Sequence, residues 1–255
     1  MTTDGHGSTR NVLIGILSVA VLAAWPAAAA EKIEKLTFGS GGKNRTYYLF
    51  VPEKASAGNA PMIVLLHGSG RNGKSLVDPW VPLAKAEGII LAAPDALDPR
   101  GWRVPEDGPE VVYDLMEMLR VKYEVDSHRM FLFGHSAGAI QALQLAALES
   151  QYFAAVAVHA GALDPAFYPF LDRAPRKIPI AIWVGTNDAL FPVAAVRATR
   201  DALNTRGFGA QLTEVAGHTH DYYGRASEIN KQAWIFLHQH QLEQDPVYQH
   251  YTIER

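Results

Sequence analysis

The chain has 255 residues, 48% hydrophobic and 19% charged, which suits an ordinary globular protein with one sizeable core. Its formal net charge of −3 comes without a basic block, so neither nucleic acid nor an anionic membrane surface is indicated as a partner. It has no cysteine, which excludes disulfides, thiolate metal sites and a lipidated cysteine anchor.

In chain order, the first segment reads as an export signal. Arg10 closes a polar stretch, and Asn11 to Ala24 is almost wholly apolar. That run is shorter than the roughly 20 residues a membrane-spanning helix needs. Small residues at Ala28 and Ala30 form an A-x-A site, with cleavage expected after Ala30. Residues 1–30 are therefore read as a signal peptide, with an uncleaved membrane anchor as the alternative, and 31–255 as a single domain, secreted or periplasmic.

Short apolar runs follow. Thr46–Pro52, Pro61–His67, Gly88–Asp95, Arg129–Gly134, Phe153–Gly161, Ile178–Gly185 and Ala210–Gly217 read as strands. Several are apolar on both alternations, as in strands buried on both faces of a largely parallel sheet. Between them lie helix candidates. Pro109 to Tyr123 starts on a proline and sets Val111, Leu115, Met118 and Leu119 on one side. Ala137 to Ser150, Ala194 to Gly207 and Ala226 to His240 complete the set, with Gly207 as a C-terminal stop. The alternation predicts a three-layer α/β domain with a mostly parallel central sheet. The polar tail from about Gln241 is expected to be peripheral.

Two turns carry the chemistry. After the Pro61–His67 run comes HGSGRNGKS. From Gly68 it spells G-x-x-x-x-G-K-[ST], a phosphate loop. From His67 it is an H-G-x-G loop of the kind that turns a backbone N–H toward an oxyanion. A phosphate loop needs a helix to start at Lys74 and Ser75, and Pro79 and Pro82 argue against one there. The second turn is GHSAG, Gly134 to Gly138, with a strand before it and a helix after it. That is the setting of a nucleophile elbow, which raises the Ser136 hydroxyl above the strand ends.

A serine needs a base, and the base needs an orienting acid. Asp188 follows the Ile178–Gly185 run, and His218 and His220 follow the last one. Spacing does not separate the two histidines, which project similarly in an extended segment. The H-x-H pair also has the form of a zinc site, which would need a third ligand. His67, His135 and His159 at strand ends are read as structural. Trp102, Phe167, Tyr168, Phe170, Phe191 and Tyr222 fall in loops that could line a pocket, and Trp102 is the substrate-contact candidate.

The blocks LLHGSGRNG, LAAPDA, YEVDSHRMFLFGHSAGA, YFAAVAVHAGA and WVGTNDALFP resemble the α/β-hydrolase superfamily. Within it they are similar to secreted polyhydroxybutyrate depolymerase and feruloyl esterase-like enzymes. The final block GHTHDYYG looks more like the end of S-formylglutathione hydrolases, whose pattern implies His220 as base. The depolymerase pattern implies His218 instead. The resemblance further implies an α/β-hydrolase fold, oxyanion donors at the N–H of Ser69 and Ala137, and an ester substrate, small or polymer-linked. With His220 favoured over His218, the expected triad is Ser136–His220–Asp188, with no cofactor or metal and no stable membrane partner. The short Gly161–Lys177 region suggests no large lid. A peptidase, a thioesterase or a non-catalytic binding protein on the same scaffold are the rival readings.

Overall fold

A computed structural model describes residues 31–249. The export signal read in residues 1–30 lies outside them. The described chain runs β1 (Glu34–Ser40), β2 (Lys43–Phe50), β3 (Ala60–Leu66), α1 (Gly73–Glu87), β4 (Ile90–Pro94), α2 (Pro109–Tyr123) and β5 (Val125–His135). It continues through α3 (Ala137–Leu148), β6 (Ala155–His159), α4 (Tyr168–Arg173), β7 (Ile180–Gly185), α5 (Val193–Thr205), β8 (Ala210–Val215) and α6 (Ala226–Leu237).

The eight strands form one sheet in the order β1-β2-β4-β3-β5-β6-β7-β8. β1, β2 and β4 pair antiparallel, and every pair from β4 onward through β3 to β8 is parallel. This is the α/β-hydrolase fold.

Alternate side chains of β3 explain the three layers. Met62, Val64 and Leu66 enter one core with Leu115, Leu143, Val196 and Leu171 from α2, α3, α5 and α4. Ile63 and Leu65 enter the other core with Trp80 of α1 and Leu237 of α6. A strand buried on both faces leaves no polar alternation to read, which is why these runs look uniformly apolar.

Four details differ from the sequence reading. β1 was not expected. It is an edge strand with exposed residues alternating along it, closed onto β2 by the Gly41–Gly42 turn. Second, α1 runs unbroken through Pro79 and Pro82. Each proline deletes one hydrogen bond, at about 3 kcal/mol. Burial of Leu76, Val77, Trp80 and Ala84 offsets that loss, since a large apolar side chain gains about 1.5–3 kcal/mol when fully buried. Third, Met118 faces solvent on α2, and Met116 takes the buried position. Fourth, the tail is peripheral as expected but fastened. Leu242 is buried, its N–H donates to the His128 carbonyl, and Tyr248 stacks on Tyr113 with ring centroids 3.9 Å apart. No helix among the described residues is long and apolar enough to cross a membrane.

Candidate active site

The C-terminal ends of β3, β5, β6 and β7 and the turn after β8 converge on one spot. Ser136 sits between β5 and α3 with φ 57° and ψ −120°, a region that a side chain rarely adopts. Packing holds it there. A Cβ on Gly138 would lie 1.9 Å from the Leu66 carbonyl oxygen, and one on Gly134 would lie 2.2 Å from the Gly138 carbonyl oxygen. Only glycines allow the first turn of α3 to press against β3 and β5. The Ser136 N–H donates to the His159 carbonyl at 3.0 Å, which ties the turn to β6.

His220 joins Ser136 and Asp188. Its Nε2 lies 2.9 Å from Ser136 Oγ, and its Nδ1 lies 2.9 Å from Asp188 Oδ2. The other carboxylate oxygen, Oδ1, accepts the N–H groups of Leu190 and Phe191, each at 2.9 Å. The Asp188 side chain is fully buried, so these donors replace the water it lost. Phe191 stacks on the His220 ring at 5.6 Å with an interplanar angle of 13°, and the His135 ring lies 5.0 Å from it.

His218 turns elsewhere. Its Nε2 is 3.1 Å from His159 Nε2, and its carbonyl accepts the Asn187 N–H at 2.8 Å. The two histidines therefore diverge instead of forming the metal-type pair that their spacing allows. Among the described residues, no group of three or more His, Asp or Glu is placed to hold a metal ion.

The loop after β3 forms the other wall. A Cβ on Gly68 would be 3.1 Å from Ser136 Cβ. A Cβ on Gly101 would be 3.5 Å from Ser69 Oγ and 3.6 Å from Ala137 Cβ, so Ser69 and Ala137 border one small space. Among the described residues, neither of their N–H groups donates to a backbone acceptor. His67 has a structural role. Its Nδ1 donates to the Gly68 carbonyl at 2.9 Å, and its Nε2 accepts the Ala96 N–H at 3.0 Å. Burial pushes its pKa below the usual histidine value. Trp102 lies across this loop and donates its indole N–H to the His67 carbonyl at 2.9 Å.

Sequence reasoning did not find the support under Trp102. The segment from Ala96 to Gly108 is pinned by Asp107, which pairs with Arg45 in a fully buried ion pair. Asp107 also accepts the N–H groups of Leu97 and Arg103. The available signal was a charge, Arg45, on the alternation of β2 that goes on to the buried Tyr47 and Leu49. Of the loop aromatics, Tyr222 packs in the core, fully buried, with its hydroxyl on Asn230 Oδ1. Phe167 and Phe170 stack on each other at 4.9 Å.

The N-terminus of α1, where a phosphate loop would bind, is already engaged. Asp95 Oδ1 accepts the Gly73 N–H at 2.7 Å, and Asn72 Oδ1 accepts the Ser75 N–H at 3.2 Å. Lys74 reaches Asp78 on its own helix at 2.6 Å. A phosphate would displace one carboxylate and meet a second.

Fold and site together define an α/β-hydrolase. Residues 91–242, more than half of the chain, match the dienelactone hydrolase family, and the protein belongs to that family. It is 27% identical over 146 residues to acetylxylan esterase A of Aspergillus awamori, a stretch covering 51% of this chain and 47% of that one. The chain thus spans about half the length of the curated relative it matches. Among solved structures, a thermostable esterase superposes with a TM-score of 0.65 at 22% identity, over 82% of this chain and 63% of that one. A ferulic acid esterase superposes with a TM-score of 0.62 at 18% identity, over 81% of this chain and 98% of that one. At these identities the structural likeness speaks to the fold alone.

Proposed function

We propose that the protein is a serine hydrolase that cleaves carboxylic esters through an acyl-enzyme. One observation carries this reading. A single imidazole, His220, lies at hydrogen-bond distance from a strained serine on one side and a buried, doubly anchored carboxylate on the other.

In this reading Ser136 Oγ attacks the ester carbonyl while His220 Nε2 takes its proton. Asp188 holds the Nδ1–H tautomer and stabilises the imidazolium. Charge develops on the carbonyl oxygen beside the N–H groups of Ser69 and Ala137, at the bare N-terminus of α3. His220 then gives its proton to the departing alkoxide, and the C–O bond breaks. Water repeats the sequence in reverse and frees the acid. Trp102 fixes the wall that carries Ser69, and the short segment around α4 leaves the cleft open to a bulky or polymer-linked ester. Membership of the family and the esterases among its relatives support the choice of ester over amide or thioester.

Ser136→Ala should lower kcat on a p-nitrophenyl ester by about 10⁴-fold or more, and abolish labelling by a fluorophosphonate. Retention of most of the activity would overturn the mechanism. A panel of acetyl, feruloyl and hydroxybutyryl esters, with matched thioester and amide, identifies the acyl group. Export after cleavage near Ala30 belongs to the same proposal, and N-terminal sequencing of the mature protein tests it.

A further inference from the structure

Beneath the site lies a chain of imidazoles that the reaction above does not use. His135 Nδ1 is 3.1 Å from His159 Nδ1, and His159 Nε2 is 3.1 Å from His218 Nε2. All three residues are buried, His159 completely. Burial drives each pKa down, to about 4 at His135, so the rings are neutral at pH 7.

A neutral imidazole has one N–H and one lone pair. His159 has both nitrogens engaged, so it donates to one neighbour and accepts from the other. Either His135 donates inward and His218 accepts at the far end, or the reverse. The three tautomers are therefore set together.

The ends of this chain are attached to the site. His135 precedes Ser136, and its ring lies 5.0 Å from the His220 ring. The His159 carbonyl accepts the Ser136 N–H. His218 is two residues from His220, and its carbonyl accepts from Asn187, the neighbour of Asp188. One side chain thus bridges the turn of the serine and the loop of the base, which belong to different sheet strands.

We propose that His159 is a positioning residue whose imidazole, bonded to His135 and His218, sets the Ser136–His220 distance. This rests on the esterase reading. The test is a double-mutant cycle on purified protein with a p-nitrophenyl ester. His159→Phe removes both bonds, and His218→Ala removes one at the less buried end. Each should lower kcat about 10- to 100-fold with KM changed less than about threefold. The double variant should lose little more than the worse single one, because the chain acts as a unit. His159→Gln, which can still reach His218 through its amide, should recover part of the loss. Singles within twofold of the parent, or losses that multiply, would overturn the proposal. If His159→Phe does not fold, His218→Ala and His159→Gln still decide it. A readout without turnover separates this from failure of the esterase reading. In ¹⁵N spectra of the imidazoles at pH 7, His218→Ala should alter the tautomer balance of His135, from which it is separated by a whole ring. An unchanged His135 pattern would overturn the proposal even in an active enzyme.

Discussion

Two strand–turn–helix junctions stand side by side in this sheet, β3 to α1 and β5 to α3, and they look alike in sequence. Both are rich in Gly and Ser, and both press a glycine of the first helical turn against a neighbouring strand. A Cβ on Gly73 would be 2.2 Å from the Ala93 carbonyl oxygen, and one on Gly138 would be 1.9 Å from that of Leu66. The helix N-termini differ. That of α1 is filled, by Asn72 and by the Asp95 carboxylate. That of α3 has no side-chain cap, and its Ser136 backbone is strained. A helix N-terminus attracts negative charge in either case. What separates them is whether the protein has already supplied that charge.

The strongest test of the contrast exchanges the two serines. Ser136→Ala is expected to cost about 10⁴-fold in kcat. Ser69→Ala should stay within about threefold, because the proposed mechanism uses the Ser69 N–H and not its hydroxyl. A loss at Ser69 near that at Ser136 would break the distinction.

Acid titration ranks next. A histidine held neutral in the fold takes up its proton more readily in the unfolded chain, so stability falls as pH drops below the unfolded value of about 6.5. His135, pushed down to about 4, and His159, lower still, place this loss at the β5 junction. His67, also lowered, adds to it at the β3 junction. Unfolding free energy should fall by about 1 kcal/mol for each of His135 and His159 between pH 7 and 5.5. Denaturant melts at the two pH values would measure it, and no change would contradict the neutral chain.

Asp95→Ala uncaps α1 and should cost about 1–2 kcal/mol in a urea melt, with kcat within threefold. Lys74→Ala is the smallest. Its partner is an exposed residue on the same helix, so stability should change by no more than about 0.5 kcal/mol and activity not measurably. A large loss of activity with Lys74 would reopen the phosphate-loop reading.

The fold was legible where burial wrote itself along the chain. Ile63 and Leu65 face one core and Met62 and Val64 the other, so the β3 run is continuous and unmistakable. β1 escaped notice because Leu36 and Phe38 alternate with exposed residues at a sheet edge, although Gly41–Gly42 marked the hairpin. α1 escaped because local proline cost was weighed without the burial of Trp80, a tertiary effect. At the site, the surroundings of Ser136 could be read because strand, glycines and helix are contiguous. The divergence of His218 and His220 could not. It depends on His159 and Asn187, which are distant in sequence, and on a turn in which His218 N–H returns to the Val215 carbonyl.

The fastened tail has a structural consequence. Leu242 binds at His128, near the start of β5, and the Val247 N–H reaches the Gln151 carbonyl beyond the end of α3. Ser136 lies at the opposite end of both elements. The two tail contacts therefore close the end of the sheet remote from Ser136, so the far rim and the serine turn are supported by different parts of the chain.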